Sequence, residues 1–217
     1  MKYDLAIFDL DGTILNTLED LVTSMNYALK SCGYPQRSSC EIRLFLGNGI
    51  LNLAERCLPE NAGIEERDRL VETFNEYYAV HCDDHTGPYE GIRELIRALR
   101  QKGMKTAVVS NKPDYGVQIL CSRHFKGLFD CTAGVKEGIR RKPAPDSVLE
   151  VLRQLQIGKD KAVYIGDSEV DLETAKNAEM DCISVDWGFR DRAALVQMGA
   201  SVIASDSRAL QKLLIGM

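Results

Sequence analysis

Asp9 and Asp11 stand one residue apart at the end of an apolar run, AIFDLDGT at positions 6–13. Carboxylates are poor strand formers, and like charges repel, so a pair of them closing a buried strand needs a physical reason. Three more segments carry comparable groups. Ser110 and Asn111 close KTAVVSN, Lys142 sits in RRKPAPD, and Asp167 and Asp171 sit in YIGDSEVD. Each alone has an ordinary reading: a turn, a solvated lysine, a helix N-cap. Together they bring carboxylates, a hydroxyl and an ammonium to the carboxyl ends of strands, where an open parallel sheet binds ligands. Clustered carboxylates become favourable around a hard cation that prefers oxygen, and Mg²⁺ is the natural choice. Such an ion usually serves phosphate. Ser110 and backbone N–H groups can donate to phosphoryl oxygens. Lys142 can neutralise charge that develops during transfer.

The elements that must position these groups are legible as two textures. Short apolar or β-branched runs at 4–10, 105–110, 129–135, 161–167, 181–186 and 201–205 read as strands. Between the later ones lie amphipathic stretches. Residues 91–101 place Ile92, Leu95, Ile96 and Leu99 on one face, and 146–156 do the same with Val148, Leu149, Leu152 and Leu155. This alternation predicts an α/β, Rossmann-like parallel sheet. Residues 17–85 differ, with no convincing strand. Thr17 with Asp20 resembles a capping box, and a stripe of Leu18, Leu21, Val22, Met25 and Leu29 runs to a stop at Gly33 and Pro35. Stretches 48–58 and 64–82 repeat the pattern, the second with Leu70, Val71, Phe74 and Tyr77 inward. The expectation is a core of 1–14 plus 87–217 with an all-helical cap domain, 15–86, inserted after the first strand.

Bulk properties narrow the field. A chain of 217 residues buries roughly 70% of the surface its unfolded form exposes. The formal charge of −5, from 27 basic and 32 acidic residues without a long like-charged run, argues against nucleic acid or membrane partners. Seven cysteines at odd count and without CxxC spacing read as buried reduced thiols, hence a reducing compartment. The N-terminal apolar run breaks at Asp9, too early for a signal peptide, and no run reaches a membrane span. A cytoplasmic protein, monomer or homodimer, is expected.

At this point the sequence resembles the haloacid dehalogenase-like (HAD) hydrolases. Their four motifs occur in order: DLDGT at 9–13, Ser110 after an apolar strand, Lys142, and GDSEVD at 166–171. The helical insert, GNGI at 47–50 and SNK at 110–112 are similar to the phosphoglycolate phosphatase-like branch. The resemblance implies Asp9 as nucleophile forming an aspartyl-phosphate, and Asp11 as acid and then base. It implies Mg²⁺ on the Asp9 carboxylate, the Asp11 carbonyl and Asp167, with Asp171 in support. It also implies that Ser110 and Lys142 bind the phosphoryl group, Lys142 being preferred to Lys112 because KPAPD follows the motif. Gly12, Thr13 and Asn111 join the phosphate-binding set, Gly12 by letting the chain turn tightly. The dehalogenases of this superfamily lack a second aspartate at this spacing, so Asp11 argues for phosphate esters. A β-phosphoglucomutase-like mutase, a pyrophosphatase or nucleotidase, and a phospho-accepting signalling domain are the rivals.

Three remaining stretches admit two readings each. In FLGNGILNL, Gly47, Asn48 and Gly49 open a helix whose N–H groups suit an anion, and Arg43 lies one turn earlier; a substrate carboxylate would fit, as would a plain glycine turn. HCDDH at 81–85 has a zinc-like His spacing but falls where a helix breaks, which favours a solvated hinge. DWGFR at 186–190 either lines the site entrance or packs Trp187.

Overall fold

A computed structural model describes residues 1–216. β1 (Leu5–Phe8) and β2 (Leu15–Asn16) come first, then α1 (Leu18–Ser31), α2 (Ser39–Phe45), α3 (Gly49–Cys57), α4 (Ile64–His81) and β3 (Gly87–Pro88). From there helices and strands alternate: α5 (Ile92–Gln101), β4 (Lys105–Pro113), α6 (Asp114–His124), β5 (Cys131–Val135), α7 (Asp146–Leu155), β6 (Ala162–Gly166), α8 (Glu169–Asn177), β7 (Asp181–Val185), α9 (Arg192–Gln197), β8 (Ile203–Ala204) and α10 (Ser207–Ile215).

Six strands form one sheet in the order β5-β4-β1-β6-β7-β8, every pair parallel. β1 sits inside it, with Leu5 opposite both Lys105 and Ala162, and Phe8 opposite Val108 and Ile165. All four of its side chains are buried, as a strand covered on both faces requires. They alternate between two cores. Ala6 and Phe8 join Ile96, Leu99, Val108 and Ile165 on one side; Leu5 and Ile7 join Val109, Val151, Leu152 and Tyr164 on the other. Each fully buried aliphatic or aromatic side chain there contributes about 1.5–3 kcal/mol relative to exposure.

The chain divides into two compact units. Residues 1–15 and those from Pro88 onward make the first, and Asn16–Gly87 the second. In the helical unit α1 packs along α4. α1 buries Leu21, Met25, Ala28 and Leu29, while α4 buries Leu70, Phe74 and Tyr78. Tyr77 is not inward; it stacks between Tyr27 and His81. On α7, Leu149 is likewise exposed and Val151 takes its place in the core.

Two local readings are corrected. Thr17 makes no capping bond and Asp20 does not close a box. Instead the buried Asp20 carboxylate accepts from the His85 and Thr86 amides and, at 2.7 Å, from the Thr86 hydroxyl. The long-range partners win because they satisfy amides that would otherwise be buried bare. HCDDH thus ends the unit as an anchored turn, with His81 Nδ1 at 2.7 Å from Asp84. The cysteines are all free, but only Cys57 and Cys121 are buried, and Cys40 is exposed. Among the described residues no helix is long and apolar enough to cross a membrane. Asp20→Ala is expected to lower stability by about 1–3 kcal/mol through the stranded donors, measured as a shift in the urea midpoint, with Asp20→Asn losing less.

Candidate active site

β1 ends at Phe8, so Asp9 and Asp11 stand in the loop that follows. That loop is wound tightly: the Thr13, Ile14 and Leu15 amides all donate to the Leu10 carbonyl, and Gly12 takes φ +84°. β4 runs three residues further than expected, through an irregularity between Val109 and Pro113. Ser110, Asn111 and Lys112 all lie on this stretch. Because β1 is flanked by β4 and β6, the segments carrying residues 9–13, 110–112 and 166–171 emerge side by side.

Lys142 ties them together. Its ammonium, buried, lies 2.9 Å from Asp9 Oδ1 and 2.8 Å from Asp171 Oδ1, and donates to the Tyr164 hydroxyl at 2.9 Å. Those are the three donors a lysine has. The Tyr164 hydroxyl in turn donates to the Val109 carbonyl at 3.1 Å. The main chain of Lys142 is fixed by Asn111, which donates to its carbonyl at 3.0 Å and accepts from its amide at 2.9 Å. Asn111 is therefore a clamp on the lysine loop, with both ends of its amide engaged. Burial works to lower the Lys142 pKa, but the Asp171 and Asp9 carboxylates overcome it and hold it well above the usual value.

Asp171 caps the start of α8. Its Oδ2 accepts from the Ser168 hydroxyl and from the amides of Ser168 and Asp167. Asp167 is gripped from two sides, by the Thr13 hydroxyl at 2.9 Å and the Phe189 amide at 2.7 Å. The Thr13 hydroxyl thus helps to fix Asp167. Trp187 settles as a packing residue, half-buried on the core, with its indole N–H on the Thr13 carbonyl at 3.0 Å. Gly12 and Gly188 flank Asp167 so closely that a Cβ on either would sit 2.4 Å from its Oδ2.

Asp9, Asp167 and Asp171 form the only group of three or more metal-competent ligands among the described residues, with ligand atoms within 4.8 Å of one another. Burial pushes the Asp9 carboxyl up to about 7 against the pull of Lys142, with Asp171 and Asp11 adding to the rise. Burial, Asp171 and Asp9 drive Asp167 well above the ordinary range. Asp9 Oδ1 is occupied by Lys142 and the Leu10 amide, and no described contact falls on Oδ2. Ser110 is buried on β4, its hydroxyl oxygen accepting from the Lys112 amide at 3.2 Å. Asp11 stands apart from the carboxylate trio and pairs with the Lys112 ammonium at 3.1 Å. Arg43 lies in the last turn of α2, and Gly47 and Asn48 in the α2–α3 loop, all in the helical unit; Gly47 and Gly49 have positive φ.

Residues 6–185 match the family profile described as haloacid dehalogenase-like hydrolase. The chain belongs to that family. Within it the chain is similar to a phosphoglycolate phosphatase of Aquifex aeolicus, 32% identical over 84% of each chain. A phosphoglycolate phosphatase of Mesorhizobium japonicum is 30% identical over 88% of this chain and 86% of its own. A solved structure from Lactobacillus delbrueckii subsp. bulgaricus, 43% identical and covering both chains fully, superposes with a TM-score of 0.97. The HAD hydrolase is thus of the phosphoglycolate phosphatase-like branch, whose members are phosphoric monoester hydrolases.

Sequence reasoning missed Tyr164, the Phe189 amide and the pairing of Lys112. Tyr164 is hidden inside a strand pattern, a backbone amide carries no residue signature, and Lys112 in SNK lies outside the motif that Lys142 matches. Gly188→Ala is expected to displace Asp167 and lower hydrolase activity by about 100-fold or more, since a shift near 1 Å costs that much. A melting curve kept within a few degrees of the parent would show that the fold survives.

Proposed function

We propose that this hydrolase is a Mg²⁺-dependent phosphatase acting on a small phosphomonoester through an aspartyl-phosphate on Asp9. The observation that carries the reading is the trio Asp9, Asp167 and Asp171 closed by Lys142. When ionised, three carboxylates against one ammonium leave two negative charges, which a divalent cation balances. The donors are all oxygens, the set Mg²⁺ prefers. Asp9 and Asp167 would hold the ion with the Asp11 carbonyl, while Asp171, saturated by Lys142 and the start of α8, supports them. Bound there, the ion would polarise the phosphoryl group and offset its charge.

The chain's own groups do the rest. Lys142 holds Asp9 by one oxygen and leaves Oδ2 to attack phosphorus. The P–O ester bond breaks as the Asp9–phosphorus bond forms, and Asp11 gives its proton to the departing oxygen. Ser110 donates to a phosphoryl oxygen, and the Lys142 charge, its three donors engaged with Asp9, Asp171 and Tyr164, offsets the negative charge of the phosphoryl group. Asp11, now a carboxylate, takes a proton from the water that cleaves the acyl phosphate, which releases phosphate and restores Asp9. The curated relatives are phosphoglycolate phosphatases, so phosphoglycolate is the leading substrate. On the chemistry of their groups, Arg43, Gly47 and Asn48 are the residues to favour a carboxylate-bearing leaving group.

Asp9→Asn is expected to abolish phosphate release from phosphoglycolate with an unchanged melting curve, and excess chelator should silence the parent. A similar rate in either case would sink the reading. Appearance of an isomeric sugar phosphate in place of free phosphate would mark a mutase instead. A pH effect follows as well. Because the Asp9 carboxyl of the metal-free protein sits near 7, Mg²⁺ must displace a proton below that pH. Titration calorimetry should show affinity weakening as pH falls below about 7, with proton release on binding.

A further inference from the structure

Two lysines are buried at this site, and the family motifs account for one. Lys112 has a side chain only 5% exposed, and its ammonium lies 3.1 Å from Asp11 Oδ1 and 3.3 Å from Oδ2. Its stem passes within van der Waals range of the Gly116 face of α6, where a Cβ would meet Lys112 Cγ and Cδ at 3.4 Å. Its amide meanwhile donates to Ser110 Oγ at 3.2 Å. One residue therefore touches the hydroxyl expected to bind phosphate and the carboxyl expected to move protons. Burying an ammonium is costly unless it is paired, and Asp11 is the partner that justifies this one.

We propose that Lys112 is the positioning residue for Asp11: it fixes the carboxyl that protonates the leaving oxygen. This rests on the phosphatase reading above. The ammonium reaches both Asp11 oxygens, at 3.1 and 3.3 Å, and so sets the plane and direction of the carboxyl. In the first step the ester P–O bond breaks, the Asp9–phosphorus bond forms, and the proton on Asp11 passes to the departing oxygen. The carboxylate left on Asp11 is then held by the ammonium until it takes the proton of the attacking water. Lys142 has no such part, since its three donors point to Asp9, Asp171 and Tyr164.

Leaving-group dependence tests this. An alkoxide leaving from phosphoglycolate needs a proton, whereas p-nitrophenolate scarcely does. kcat/KM reports the step in which the leaving group departs. Lys112→Met is expected to lose about 10- to 100-fold more kcat/KM on phosphoglycolate than on p-nitrophenyl phosphate, within the 10²–10⁴ range of general acid–base catalysis. In an Asp11→Asn background the same change should cost little more. If Lys112→Met does not fold, Lys112→Arg carries the test, with a smaller loss of the same selectivity. Equal losses on both esters, or losses that add fully to those of Asp11→Asn, would assign Lys112 to phosphate binding or packing and overturn the proposal. A parent enzyme active on neither ester would defeat the phosphatase reading itself. One active on the aryl ester alone would overturn the positioning role while leaving aspartyl-phosphate chemistry in place.

Discussion

An ammonium buried among carboxylates governs this fold. Lys142 gives its three donors to Asp9, Asp171 and Tyr164. Removing one member of such a set strands a buried charge, typically at about 3–5 kcal/mol. The arrangement survives because each member is also held by its own backbone neighbourhood. Asp171 caps α8, the lysine loop is clamped by Asn111, and Tyr164 hangs from β6 onto the Val109 carbonyl of β4. Chains from β1, β4, β6 and the loop after β5 therefore meet at one point without relying on the ion pairs alone. The apolar cores on both faces of the sheet supply the rigidity that lets like charges stay close.

Protein groups at the site divide the labour by what they touch. One set acts on carboxylates of the buried trio: Lys142 on Asp9, Thr13 and the Phe189 amide on Asp167. The other, Lys112 with Asp11, stands beside it on the same stretch of β4 that carries Ser110. Glycines keep the first set compact. Gly12 and Gly188 leave no room for a side chain beside Asp167, so the setting of this carboxylate is shaped by backbone as much as by residue chemistry.

Much of this was readable from residue types alone. Strand and helix periods named the α/β alternation; Asp9, Ser110 and Asp167 announced themselves because each ends an apolar run, and Lys142 through the KPAPD that follows one. What escaped detection has physical reasons. The Phe189 amide is chemically the same as any other amide. The Lys112–Asp11 contact depends on the irregularity that extends β4 past Val109, which composition does not encode. Thr17 and Asp20 have the spacing of a helix cap, yet Asp20 serves residues 85 and 86, more than sixty positions away. Local pattern lost there to tertiary hydrogen bonding. The cysteines misled in a similar way, since small apolar character does not say which thiols the packing encloses.

The interior place of β1 has a consequence for how the molecule is made. Its neighbours on either side, β4 and β6, begin at residues 105 and 162. A nascent chain therefore carries its first strand unpaired while the helical unit, continuous from Asn16 to Gly87, is already complete in sequence. During vectorial synthesis that unit has every residue it needs to collapse first, and the sheet waits on contacts that span from about half to about three-quarters of the 217 residues, the slow class of folding contact.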